Sequence, residues 1–493
     1  MTTQAIFVAG RPRVQASGGQ AVVLDAHSGR EIARVPRAGP AEIEDALAAA
    51  QAAAEPMRRL PAWRRRDVLL AVCDGVAAAR EAFARTLVDE VGKTLHEARG
   101  EVERCLDTLR EAAGEATRLP GEWLPLDISA RAEPYAALVR RFPVGACAFI
   151  TPFNFPLNLV AHKVAPALAC GCPFVLRPSS TTPLSALRLG ALLARQVEAG
   201  ALPPGAFSIV PCDTDVAAPL VEDPRVRLLS FTGSPAVGWA LHARAAAAGA
   251  ASGRGAPRVA LELGGNAGCI VDEGADVASV APRLAAGAFG LAGQSCVKTQ
   301  RILAHASLHA SLRAALVAGA QALNGAMGDP HDERTRLGPL VREAEARRVE
   351  QWVAEAVAAG ARVLCGGRRT GAFHEATLLE GVPRTARVAC REVFGPVCTL
   401  APFERFEDAL AEVNASDFGL QAGVFTPRLE HALRAHEELE VGAVVVNDVP
   451  TSRVDAMPYG GVKASGQGRE GLRSAMLELT EPRVLLLRRE LRA

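Results

Sequence analysis

Along residues 41–119 the apolar positions return every third or fourth residue in a background of Ala, Glu, Arg and Leu. That spacing predicts successive amphipathic helices and marks the stretch as mostly scaffold. From Val144 the pattern changes. Short apolar runs alternate with helical segments: VGACAFI (144–150), a helix near 157–169, CPFVL (172–176), a helix near 184–199, FSIV (207–210), VRLLS (226–230), a helix near 236–248 and RVALEL (258–263). Runs too apolar to alternate, joined by helices, predict a parallel sheet covered on both faces. A second series begins after residue 265 with GCIV (268–271), a helix around 276–291, RILAH (301–305), a helix near 307–323, and later AGVFT (422–426) and GAVVVN (442–447). Two α/β units are therefore expected. YAALVRRF (135–142) and PRVLLLRR (482–489) are strand-like segments outside both series, expected to pair with each other or with another subunit.

A chain of 493 residues is too long for one hydrophobic core, which agrees with that division. With 55 basic and 54 acidic side chains it has no global field to draw nucleic acid or an anionic membrane, so neither partner is expected. The start lacks a basic segment followed by an apolar run, and no apolar stretch reaches the ~18 residues that span a bilayer; a cytoplasmic location is the expectation. The 11 cysteines are odd in number and scattered, which speaks against a disulfide framework. Cys170-Gly171-Cys172 lacks the spacer of a zinc or redox pair and sits in an apolar run, so it reads as structural and no metal is expected.

Two glycine motifs invite a nucleotide-loop reading. GQGREG (466–471) has the fingerprint spacing, but only 22 residues follow Gly471, too few for the βαβ unit the motif needs. GSPAVG (233–238) has Trp239 where a phosphate loop requires Lys, yet it lies between a strand and a helix, where backbone N–H groups and the helix dipole can hold a pyrophosphate.

Cys296 stands apart from the other cysteines because GQSC (293–296) falls in a connection between a helix and a strand. Three further segments bear on it. TPFNFP (151–156) ends a strand with the amide of Asn154, placed to donate to a developing oxyanion. LELGGN (261–266) ends another with Glu262, whose burial would raise its pKa and suit it to activate water. REVFGPV (391–397) sets Glu392 and Phe394 beside a Gly-Pro turn, where a carboxylate can take ribose hydroxyls and a ring can wall off a cofactor.

Together with KVAPALACG, FTGSPAVG and MPYGGVKASGQGREG (457–471), these motifs run in order through nearly the whole chain and resemble the aldehyde dehydrogenase superfamily. The resemblance implies an α/β fold of two doubly wound domains with a small β oligomerisation flap. Residues 1–122 and 144–257 would bind the dinucleotide, 258–464 would be catalytic, and 123–143 with 465–493 would form the oligomerisation segment of a homodimer or homotetramer. It implies Cys296 as nucleophile, Glu262 as general base, Asn154 as oxyanion donor, and Lys163 with Glu470 as partners in a proton relay. Ile150, Thr151, Pro152, Phe153, Arg177, Ser180, Gly233, Ser234, Glu392 and Phe394 would line the cofactor groove, and Phe155, Ser295 and Arg453 would meet the substrate. Relatives that pass the acyl group to coenzyme A tend to lack the counterpart of Glu262, so its presence favours hydrolysis to the acid.

The chain departs from the family pattern in places. Arg177 stands where many relatives have Lys, and Ala-Gly follows LELGGN where Lys-Ser-Pro or Lys-Asn-Pro is usual. Ser180 occupies the position of the acidic residue that in NAD-preferring relatives repels a 2′-phosphate, so NADP is expected to serve at least as well as NAD. Arg453, Thr451 and Ser452 in the loop DVPTSRVDAMPYGG (448–461) point to a small polar aldehyde, lactaldehyde-like or a carboxylate semialdehyde. The segments TPFNFPLNLVAHKVAP and NDVPTSRVDAMPYGGVK are most similar to the lactaldehyde dehydrogenase-like subgroup. A phospho-, phosphono- or sulfo-aldehyde is the alternative within the family. A thiol hydrolase without a redox step is the alternative outside it, but no motif supplies its histidine base.

Overall fold

The computed structural model describes residues 2–253 and 255–488. The helices expected in 41–119 are Pro40–Arg59, Ala62–Ala78, Arg80–Val91 and Leu95–Ala116. Leu95–Ala116 starts at a reciprocal cap in which Thr94 and Glu97 satisfy each other's backbone N–H. The preceding helix stops at Gly92, whose φ of +82° is one that other residues rarely adopt.

The first series forms an eight-stranded sheet in the order Gly466–Gln467, Arg258–Glu262, Leu228–Thr232, Cys147–Ile150, Phe174–Arg177, Phe207–Ile209, Ile6–Val8, Arg11–Arg13. Its five central strands are parallel, and the short strands at both edges pair antiparallel. The second series forms a seven-stranded sheet, Arg362–Cys365, Thr377–Glu380, Val397–Phe403, Arg301–His305, Gly268–Val271, Gln421–Phe425 and Ala443–Val446. All of these pair in parallel except Arg362–Cys365. Each sheet packs helices around its own buried core.

Two expected boundaries move. Arg258–Glu262 pairs along its whole length with Leu228–Thr232, so it completes the first sheet, and the passage between sheets falls after Glu262, not before Arg258. Gly466–Gln467, expected in the oligomerisation segment, adds to the edge of that same sheet. A two-residue strand gives too little periodicity to be read from sequence.

Tyr135–Pro143 and Thr480–Arg488 pair with each other over nine residue pairs, and Glu122–Pro125 completes this antiparallel sheet. The last residue of the predicted strand 482–489, and 489–493 of the predicted oligomerisation segment, lie outside the described residues. Among the described residues no helix is long and apolar enough to cross a membrane.

Candidate functional site

In the first sheet the chain begins its parallel run in the centre, at Cys147–Ile150. The next two strands, Phe174–Arg177 and Phe207–Ile209, build outward on one side, and Leu228–Thr232 and Arg258–Glu262 then build on the other. The connections after Ile150 and Thr232 therefore part in opposite directions and leave a crevice at the strands' carboxyl ends, the usual ligand position in such sheets. Asn154, Thr232, Glu262, Leu263, Leu159 and Cys296 line this crevice from both sides, because two cavities, of about 500 and about 420 Å³, meet on them.

The thiol comes from the second sheet's side on a strained turn. Leu291, Ala292 and Gly293 all have positive φ, of 53°, 49° and 70°. Strain of this kind persists only where the surroundings hold it. Here Gln294 accepts the Val341 N–H through its side chain, and a β-carbon on Gly293 would stand 2.0 Å from the Gly395 carbonyl. The Leu291 N–H donates to Glu97, tying the turn to the helix Leu95–Ala116. Cys296 is partly accessible, and its Sγ lies 3.2 Å from the Tyr459 hydroxyl. Burial pushes its pKa up to about 12, with the Tyr459 hydrogen bond acting against the rise. Asn154 Nδ2 reaches the same turn, and its Oδ1 is buried without a hydrogen-bond partner.

Glu262 is also buried, and its Oε2 has no hydrogen-bond partner. Desolvation, reinforced by the nearby Glu470, raises its pKa well above the usual carboxylate value. Glu470 behaves oppositely. Burial works against ionisation there, but Lys163 at 3.0 Å and His162 hold its carboxyl well below the ordinary range. Lys163 Nζ also donates to Ser230 Oγ at 2.7 Å. Two carboxyls whose surroundings drive them apart are what separate proton-transfer roles require.

One cavity fits a dinucleotide. Glu392 Oε1 accepts the Gly265 N–H at 3.0 Å, and burial raises its pKa to about 7. Gly264 leaves the space that this carboxylate fills, since a β-carbon there would lie 2.4 Å from Oε2. Phe394 holds a positive φ of 47° and sets its ring edge-on to Phe153 at 5.7 Å. Ser234 precedes the helix Pro235–Ser252, but its side chain makes no capping bond, so the hydroxyl and the first-turn N–H groups are left for an anion. Pro152, Phe153, Gly233, Ser234, Glu392 and Phe394 line this groove; Ile150 and Thr151 are buried and are not part of its lining. Arg177 and Ser180 are also absent from it. The Arg177 guanidinium donates to the Cys212 carbonyl and to Thr214, and Ser180 is exposed.

The other cavity contains Phe155, Ser295 and Arg453, and five residues from the stretch read as scaffold: Lys93, Glu97, Gly100, Glu101 and Arg104. That reading is corrected for residues 93–104. Glu101 accepts the backbone N–H groups of Leu157 and Asn158, which docks this helix onto the start of Asn158–Cys170 and brings its side chains into the crevice. Lys93 is buried against Glu101 at 2.5 Å, its ammonium 3.7 Å from the Phe155 ring centre. Arg453 lies on the Tyr459 ring at 3.7 Å and beside His162 at 3.0 Å. Asp455 lies between them and Arg104, 3.2 Å from Arg104 and 3.1 Å from His162.

Tyr459, His162, Lys93 and Arg104 carried no role in the sequence reading. Composition held one signal. Only four of the 55 basic residues are lysines, Lys93, Lys163, Lys298 and Lys463, and the first three are buried. Where arginine is the default cation, a retained lysine marks a place that wants a compact one.

The model of the aldehyde dehydrogenase family matches residues 14–485. The chain is 40% identical over 466 residues to a 3-sulfolactaldehyde dehydrogenase of Priestia aryabhattai, a match spanning 94% of each. Its fold is similar to that of aldehyde dehydrogenase 21 from Physcomitrella patens in complex with the reaction product succinate, at a TM-score of 0.94 and 43% identity over 99% of each chain. It is also similar to a glyceraldehyde-3-phosphate dehydrogenase of Methanocaldococcus jannaschii complexed with NADP, at a TM-score of 0.90 and 33% identity over 96% of this chain and 100% of that one.

Proposed function

The chain belongs to the aldehyde dehydrogenase family, and from that premise we propose that it oxidises a small aldehyde bearing one anionic group, a carboxylate or a sulfonate, to the acid, with NADP or NAD as oxidant. The observation that carries the anionic tail is the pair of arginines in the thiol's cavity. Arg104 is partly exposed and pairs with Asp455 at 3.2 Å, and Arg453 Nε, which makes no hydrogen bond, lies 3.5 Å from the same carboxylate, so two guanidinium groups in this cavity share Asp455. A planar guanidinium matches carboxylate and sulfonate oxygens. The relative named for sulfolactaldehyde and the neighbour holding succinate support the same reading.

In this reading Cys296 Sγ attacks the aldehyde carbon, and the oxygen that gains charge is held by the Asn154 amide and the Cys296 backbone N–H. A bound nicotinamide would supply the hydride acceptor, and loss of hydride from the thiohemiacetal carbon would leave a thioester on Cys296. Ser234, Glu392 and Phe394 would hold the dinucleotide in a groove that shares Cys296 with the substrate cavity. Burial holds the Glu262 pKa well above the ordinary carboxylate range, and Glu262 must be ionised before it can take a proton from the attacking water. Glu470 and Lys163 lie behind it as the outlet for that proton. The acid then leaves and the thiol is restored.

The test is kcat/KM for Arg104→Ala on succinate semialdehyde and on propanal. A loss of tenfold or more on the charged aldehyde with little change on propanal supports the reading. An equal loss on both refutes the anionic tail.

We also propose a homodimer or homotetramer assembled through Thr480–Arg488. This edge strand leaves Val484, Leu485, Leu486 and Leu487 between 41% and 64% exposed, which in water favours a partner surface. Sedimentation of Leu485→Arg as a smaller species than the wild type is the expected outcome.

A further inference from the structure

Tyr459 is one of only two tyrosines in the chain and is almost wholly buried. Three contacts fix it. Its backbone exchanges hydrogen bonds with Glu470, N–H to carbonyl at 2.9 and 2.6 Å, in an isolated antiparallel bridge. Its ring packs with Val297 and Leu420 in a small apolar cluster beside Cys296, and the Arg453 guanidinium covers one face. Its hydroxyl is then 3.2 Å from Cys296 Sγ. We infer that Tyr459 is a catalytic residue of this enzyme, a hydrogen-bond donor to the sulfur that stabilises and aims the Cys296 thiolate.

The direction of the bond follows from its chemistry. While the thiol is neutral either group can donate, but once the sulfur is charged only the hydroxyl can. Burial raises the tyrosine's own pKa well above its ordinary value, so the hydroxyl keeps its proton when the thiol gives one up. The site is otherwise unfavourable to a thiolate, being desolvated and close to Glu392 and Glu262; the Tyr459 hydroxyl and Arg453 are the groups that oppose those effects. The same bridge ties the backbone of this donor to that of Glu470.

The inference rests on Cys296 as the nucleophile, and that premise fails separately, by wild-type enzyme alkylated at Cys296 still turning over. With the premise intact, the test follows alkylation of Cys296 by iodoacetamide against pH, read by mass of the Cys296 peptide. Tyr459→Phe keeps the ring and its packing and removes only the donor. Global incorporation of 3-fluorotyrosine, which changes just Tyr135 and Tyr459, makes the hydroxyl a stronger donor without altering the backbone. The expected result is a midpoint raised by about one unit in Tyr459→Phe, which slows alkylation about tenfold below the midpoint, and a lowered midpoint in the fluorinated enzyme. Unchanged midpoints in both proteins, or shifts in the same direction, overturn the inference. If Tyr459→Phe does not fold, the fluorinated wild type decides alone.

Discussion

Asn154 Nδ2 donates to the Gln294 carbonyl at 2.9 Å, so the amide proposed to hold the oxyanion is anchored on the turn that carries the thiol. One hydrogen bond thus sets the spacing of donor and nucleophile although they come from different sheets. Asn154→Ala should lower kcat by about 10²–10³-fold, the usual effect of losing one such donor. Its Kd for the dinucleotide, measured by fluorescence titration, should stay within about twofold.

Glu262→Gln separates the two halves of the reaction. Reduced cofactor should appear as one equivalent per active site in stopped flow and then stop, because the thioester forms but no base activates water. Cys296→Ala should give neither burst nor turnover. The raised pKa of Glu262 adds a pH sign: the ionised form is the base, so wild-type deacylation should speed up as pH rises towards that pKa. The slow residual rate of Glu262→Gln should lack this dependence.

Glu392 predicts a pH effect on binding. Its pKa is raised to about 7, and only its ionised form accepts from two ribose hydroxyls without competition from its own proton. Dinucleotide affinity should therefore weaken as pH falls through 7, by about tenfold per unit at the limit where only the carboxylate binds. Calorimetric titrations at pH 6 and 8 check this, and Glu392→Gln should flatten the difference.

Ser180 is exposed at the end of the strand that carries Arg177. Although Ser180 is outside the groove lining, the family resemblance makes this the position where a carboxylate would repel the 2′-phosphate of NADP and accept the hydroxyl of NAD. Ser180→Glu should shift the ratio of kcat/KM values towards NAD by about a hundredfold, roughly 2.7 kcal/mol in transition-state binding. Wild-type enzyme should use NADP at least as well as NAD.

Cys296, Glu262, Asn154, Glu392 and Phe394 could be singled out because each falls in a short motif at the end of a strand or in a turn, and their proposed roles came from the resemblance those motifs carry together. Both sheets were readable for a related reason, since a parallel strand buried on two faces cannot hide its apolar run. What escaped is built by contacts between distant segments. Nothing around Arg104 tells that Glu101, one turn earlier in its helix, caps Leu157 and turns Arg104 into the crevice. His162 reads as one polar residue in an apolar helix until Asp455 and Glu470 close on it from nearly 300 residues away. RVALEL reads as the last run of the first series, but its register with Leu228–Thr232 exists only in three dimensions.

The Gly466–Gln467 edge strand and the Tyr459–Glu470 bridge also impose an order in time. Both enter the crevice from the final portion of the chain, after the sheets that bear Asn154, Glu262 and Cys296 have been made. At a synthesis rate of about 5–20 residues per second, the turn carrying Cys296 leaves the ribosome many seconds before residues 459–470 do. During that interval the sulfur has neither its hydroxyl neighbour nor the relay behind Glu262. The crevice is therefore complete only when the last segment is laid into the sheet edge.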